Sequence, residues 1–145
     1  TFEGSVCNQC NHWGRLYNFE NAKKACLEGF HMPTKDEWKT LLTFAETSGK
    51  AGTVLKAGFG WDPSKEGGND YGNGKDELGF GVKAGGAHFA KSDVPLKERK
   101  FEDAGKKAYL WTAEGEVLVF YHDKDIAKFE KFNPEFGASL RCLKD

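Results

Sequence analysis

No apolar run in this 145-residue chain approaches the ~20 residues that a membrane-spanning helix needs, so no transmembrane segment is expected. Nor is there an excess of positive charge: 21 basic residues face 22 acidic ones, for a formal net charge of −1. A nucleic-acid partner, which requires a basic field to release counterions, is therefore not expected. No charged-then-apolar leader opens the chain, which starts at Thr1. It reads as a processed or trimmed fragment, so that any export signal would lie out of view. Methionine occurs once against 12 phenylalanines, which points to a rigid, aromatic-packed, β-rich core. No internal repeat, coiled coil or low-complexity linker divides the sequence. The length suits one domain over residues 1–145, with 1–13 as an N-terminal extension, burying roughly 68–70 % of its unfolded surface.

Cysteine is sparse: Cys7, Cys10, Cys26 and Cys142. Four cysteines allow three disulfide pairings, and sequence does not choose among them. The local reading joins Cys7 to Cys10 and leaves Cys26 for Cys142 across most of the chain. A loop of that length stabilises by about 4–5 kcal/mol through chain entropy. An even count, with a cysteine near each end, suits an oxidising compartment. Zinc is the sharper alternative, because Cys7-Asn8-Gln9-Cys10-Asn11-His12 looks like half a zinc knuckle and His31 would serve as a further ligand. Such a site wants four ligands in two paired groups, and no second Cys-x-x-Cys exists. Redox chemistry at this motif wants a strand before it and a helix opening at it. Neither is in view.

Organisation is uneven along the chain. Residues 17–26 read as a short helix whose apolar members Phe19, Ala22 and Cys26 share one face, ended by Gly29. A second helix is predicted over residues 35–46. Thr34 and Glu37 form a capping box, Pro33 blocks an earlier start, and Trp38, Leu41, Leu42 and Ala45 make the buried stripe. Between Gly49 and Gly86 lie 12 of the 18 glycines, a long central loop region with Phe59, Trp61, Tyr71 and Phe80 to pack it and Phe89 just beyond. Loops of that length are uncommon in compact domains and are usually functional or mobile. Residues 79–82 read as a short strand. Residues 108–112 and 117–122 form a hairpin across Ala113-Glu114-Gly115-Glu116, residues 126–132 a third strand, and residues 138–143 a final half-buried one. Two N-terminal helices on a small, mainly antiparallel sheet make the fold class α+β.

Several stretches resemble the Fibrobacter succinogenes major paralogous domain. These are Gly14-Arg15-Leu16-Tyr17-Asn18-Phe19, Ala22-Lys23-Lys24-Ala25-Cys26, Gly29-Phe30-His31-Met32-Pro33-Thr34 with Glu37-Trp38 and Leu41-Leu42, and Asn73-Gly74-Lys75-Asp76-Glu77-Leu78-Gly79-Phe80. Ala108-Tyr109-Leu110-Trp111-Thr112-Ala113-Glu114 and the ending Gly137-Ala138-Ser139-Leu140-Arg141-Cys142-Leu143-Lys144-Asp145 follow in the family's order. Leu27 stands where the family has Pro, Phe30 where it has Trp, and the strand at Trp111 lacks the paired serines. The resemblance implies a C-type-lectin-like fold related to formylglycine-generating enzymes. It also implies pairing of Cys26 with Cys142, and export or attachment to the cell surface.

An enzyme is not expected. The formylglycine-generating enzymes use two neighbouring cysteines near the C-terminal end of the domain, and Cys142 has no such neighbour. No Ser–His–Asp ordering is visible, and Gly72-Asn73-Gly74 lacks the Gly-Lys-Ser/Thr of a phosphate loop. His31 reads as a structural donor at the helix entrance. The lectin-like scaffold presents ligands on its long loop and neighbouring strands, which here implicates Trp61, Asp62, Asn69, Tyr71, Trp111 and Tyr121. Exposed rings stack on sugar faces, while Asn and Asp bond hydroxyls. Asp70, Asn73, Asp76 and Glu77, with Asn69 beside them, supply oxygens for a calcium ion, although the spacing is not that of an EF-hand and the Glu-Pro-Asn and Trp-Asn-Asp signatures of sugar-binding lectins are missing. The bland alternatives are that Trp61 and Tyr71 plug the loop into the core and that Asn-Gly marks a turn. The function expected is a secreted or cell-surface recognition domain for polysaccharide or glycan. The alternative is a protein-binding adhesion or envelope component, acting through the polar, aromatic-interleaved residues 121–133.

Overall fold

The structure is a computed structural model and describes residues 13–65, 72–91, 93–95, 98 and 100–145. Its first two helices begin where side chains take up the orphan N–H groups of the first turn. Helix α1, Phe19–Ala25, is capped by Asn18, whose Oδ1 accepts from the Asn21 N–H at 2.9 Å. Helix α2, Lys35–Ala45, carries the full capping box. The Glu37 N–H donates to Thr34 Oγ1 at 3.2 Å, and the Thr34 N–H donates back to Glu37 Oε1 at 3.1 Å. Trp38 and Ala45 of α2 are buried, and Leu41 and Leu42 pack beside them. Both helices lie where the sequence places them.

The main sheet has five strands in the order β1 (Leu16–Tyr17), β8 (Ala138–Ser139), β5 (Lys107–Trp111), β6 (Glu116–Tyr121), β7 (Ala127–Lys131). All its pairings are antiparallel except β5 with β8. Two small antiparallel pairs complete the strands: β2 (Phe30–His31) with β9 (Leu143–Lys144), and β3 (Ala87–His88) with β4 (Phe101–Glu102). The β5–β6 hairpin turns at Gly115, whose φ of +89° favours a residue without Cβ.

Both faces of the hairpin are covered, so its strands are apolar almost throughout. Ala108, Leu110, Leu118 and Phe120 face α2 and a third helix, α3 (Ala51–Leu55), together with Trp61 and Val82. Tyr109, Trp111, Val117 and Val119 face Ala22 of α1, Met32 and Ala138. Cys26 and Cys142 form a disulfide, Cα atoms 5.7 Å apart, which ties the end of α1 to the segment between β8 and β9. Cys7 and Cys10 lie outside the described residues.

Three local expectations are corrected. Residues 79–82 are no strand. Only Val82 bridges, to Lys56, because Gly79 and Gly81 stand at φ +68° and +59°, outside the extended region. The final strand is broken into β8 and β9, since Arg141 turns to the carbonyls of Phe80 and Gly81 and Cys142 is held by its disulfide. Within the glycine-rich region lies α3, which has no local signal because its C-terminal carbonyls are satisfied from a distance. The N–H groups of Lys75, Glu77, Val82, Asp76 and Gly74 donate to the carbonyls of Thr53, Val54, Leu55, Lys56 and Ala57 at 2.7–3.1 Å. Part of the predicted loop thus acts as the cap of a helix that it also contains.

Candidate functional site

Gly60 at φ +83° turns the chain so that Trp61 enters the core and Asp62 stays at its rim. Trp61 is 2 % exposed. Its indole Nε1–H donates to the Val82 carbonyl at 3.1 Å, and its backbone N–H donates to Asn73 Oδ1 at 3.0 Å. The backbone of Asp62 is held on both sides, its N–H by Gly105 O and its carbonyl by the Gly72 N–H, each at 2.8 Å. A Cβ at Gly105 would overlap the Asp62 carboxylate. Only glycine leaves that carboxylate its place.

These residues share an open cleft of about 430 Å³, whose further walls are the rings of Trp13 and Phe59. Phe59 is 54 % exposed. The indole of Trp13 lies 3.2 Å from where a Cβ at Gly60 would stand, so Gly60 admits the ring. The Asp62 carboxylate and the Asn73 Nδ2 make no hydrogen bond among the described residues. The cleft therefore sets an apolar wall beside one anionic acceptor and one amide donor, on a floor sealed by Trp61.

The sequence-based site is only partly assembled. Trp61, Asp62 and Asn73 do meet, but Trp61 forms the floor and is not a stacking surface. Trp111 is buried between α1 and Phe132, with its Nε1–H given to the Tyr17 carbonyl at 2.7 Å. Tyr121 is 6 % exposed and its hydroxyl donates to Glu130 Oε1. Burial and that neighbouring carboxylate push its phenol well above the usual range. Neither offers a ring to a ligand, because each completes a strand whose both faces are covered. Asn69, Asp70 and Tyr71 lie outside the described residues.

Of the proposed calcium ligands, Asn73 Oδ1 accepts from Trp61 and Asp76 Oδ1 accepts from the Gly81 N–H at 2.6 Å. Glu77 is exposed. Among the described residues no group of three or more His, Cys, Asp or Glu side chains gathers as a metal site. The oxygens counted from sequence are largely turn and loop fasteners.

Other polar groups hold the frame around the cleft. Lys56 is 2 % exposed, its Nζ donating to the Tyr121 carbonyl at 2.9 Å and lying 5.1 Å from the centroid of the Trp61 ring. Burial lowers its pKa, and the charges of Asp125 and Asp123 oppose that. His31 stands between two carboxylates, Nδ1 to Asp145 Oδ1 at 2.6 Å and Nε2 to Glu37 Oε2 at 2.9 Å, a structural donor at the start of α2 as its position predicts.

Two cleft residues carry no local signal of their role. Trp13 closes what reads as an extension, and Phe59 reads as loop packing. Each acquires its place only when residues 58–62, 73 and 104–105 come together. No curated protein and no solved structure matches the chain. The Fibrobacter succinogenes major domain matches residues 3–144, from before the extension ends to the penultimate residue, and the motifs at α1, α2, β5 and the C-terminus fall within it. By that match the chain belongs to the Fibrobacter succinogenes major domain family.

Proposed function

We propose that the chain is a non-catalytic recognition domain on a C-type-lectin-like scaffold, exported to the cell surface or beyond, that binds a glycan at the Trp13–Phe59 cleft. One observation carries this reading: half-buried Trp13 and exposed Phe59 line a cleft beside the Asp62 carboxylate and the Asn73 Nδ2, which make no hydrogen bond among the described residues, over a floor formed by buried Trp61. That is the layout that meets a pyranose, whose C–H face stacks on rings while its hydroxyls seek acceptors and donors. The disulfide suits an oxidising compartment, and no helix among the described residues is long and apolar enough to cross a membrane.

The test is affinity of the pure domain for plant polysaccharides and a glycan panel, with calcium and with chelator. Binding is expected to survive chelation, since Asn73 and Asp76 already spend an oxygen on backbone N–H groups. Phe59→Ala is expected to weaken binding about tenfold by removing one stacking wall. Binding lost on chelation would return the site to a cation, and a full panel of failures would sink the reading. The second reading, a protein partner, is favoured by β7, an edge of the five-stranded sheet. Its exposed Lys128, Glu130 and Lys131 are the charges that blunt strand addition, so it ranks below the cleft.

A further inference from the structure

Trp13 is also a wall of a second recess, of about 190 Å³, lined by Arg15, Lys83, Ser139 and Arg141. The indole tip of Trp13 meets Gly60 at the cleft. Its carbonyl lies 3.2 Å from where a Cβ at Gly85 would stand, and Ser139 Oγ lies 3.7 Å from the same point. Trp13 thus lines both concavities. Among the described residues no carboxylate lines the recess. Among the described residues, neither Arg15, Lys83 nor Arg141 is in an ion pair. Arg141 is fixed by its own geometry: Nη2 donates to the carbonyls of Phe80 and Gly81 at 2.9 and 3.2 Å, and the guanidinium lies 4.8 Å from the Phe80 centroid. Asp76 is the carboxylate whose field reaches Arg141, and its Oδ1 is occupied by Gly81.

Three cations around one recess do not follow from overall composition, because the chain carries a net charge of −1. Bringing like charges together costs free energy that a bound anion returns, and guanidinium groups match carboxylate or sulfate oxygens in geometry. We propose that the ligand of the cleft is an acidic glycan. One sugar ring stacks at Trp13 and Phe59, and the carboxylate or sulfate of its neighbour sits among Arg15, Lys83 and Arg141. This inference rests on the cleft reading and names the class of ligand for it.

The experiment compares polygalacturonate, dextran sulfate and neutral dextran on the whole chain at low and high salt. It uses the wild type, Arg15→Ala/Lys83→Ala, Phe59→Ala, and a control that removes equal charge from the β7 edge, Lys128→Ala/Lys131→Ala. Arg141 is left intact because it supports the loop at Phe80. Preference for one or both polyanions is expected, weakening with salt. The choice between polygalacturonate and dextran sulfate tells carboxylate from sulfate. Arg15→Ala/Lys83→Ala is expected to lower polyanion affinity about tenfold and to leave any neutral binding unchanged, while the β7 control has no such effect. An equal loss in the control, or equal binding of neutral and acidic chains, overturns the inference while the cleft reading stands. Polyanion binding that ignores Phe59→Ala but collapses in the recess variant overturns the cleft and leaves only the anion site. No binding to any of the three overturns the inference.

Discussion

A methyl group at Gly74 would overlap the carbonyl oxygens of Thr53 and Lys56, which are two of the acceptors that close the end of α3. The position is glycine for reasons of space, since its φ is not in the left-handed region. Gly74→Ala is expected to destabilise by about 1–3 kcal/mol, as overpacking of a tight contact does, read as a lower urea midpoint at unchanged slope. Gly58, sixteen residues earlier, has ordinary contact distance to its nearest neighbour, 3.7 Å, so Gly58→Ala should stay within about 0.5 kcal/mol of wild type. Equal losses at both positions would contradict the account. Aromatic residues obey the same local accounting. The indole N–H groups of Trp61 and Trp111 are given to backbone carbonyls, and a buried ring with a satisfied polar tip is core. Phe59 has no such tip and stays half exposed.

Among the elements, the contact of β2 with α2 and the C-terminus is electrostatic. His31 is held above its ordinary pKa by Glu37 first and Asp145 second, and Glu37 is held below its own by His31 and the Thr34 cap. A raised histidine contributes stability that is complete below the unfolded value, 6.5, and is lost as pH climbs through the higher folded value. A depressed Glu37 contributes above its unfolded value, 4.5, and loses that as pH falls through the lower folded one. The cluster therefore supports the fold most between those two values. The urea midpoint should fall between about pH 5.5 and about pH 8.5 in the wild type, and His31→Gln should flatten that upper arm. An unchanged upper arm in His31→Gln would show that other groups set it. The capping box of α2 is readable because all its parts lie within four residues. Helix α3 is not, because five residues including Gly52 make a weak local helix and its cap arrives from residues 74–82.

At the scale of the whole molecule, the Cys26–Cys142 disulfide closes a separation of 116 residues and spans almost every element. Cys26→Ala/Cys142→Ala is expected to lower stability by about 4–5 kcal/mol, chiefly by freeing the unfolded chain. A loss under about 1 kcal/mol would mean that the unfolded state is already constrained. The bond ties the end of the first helix to the segment between the last two strands.

What could be read from the residues alone was whatever is encoded by near neighbours: α1, α2 with its capping box, the hairpin at Gly115, β7, and a mixed helix and sheet content. Hydrophobic period and cap chemistry act over a few residues, and so a linear text displays them. The family resemblance added the long-range disulfide. Folding in three dimensions decided which aromatics are walls and which are floor, and which carboxamides fasten turns. It also decided that Trp13 lines both the cleft and a basic recess. Those outcomes depend on glycines that admit distant backbone, at Gly52, Gly72 and Gly74, on Gly105, which admits the Asp62 carboxylate, and on a sheet covered on both faces. The contacts involved join residues up to tens of positions apart, and close approach between such segments has no signature in the order of residues along either one.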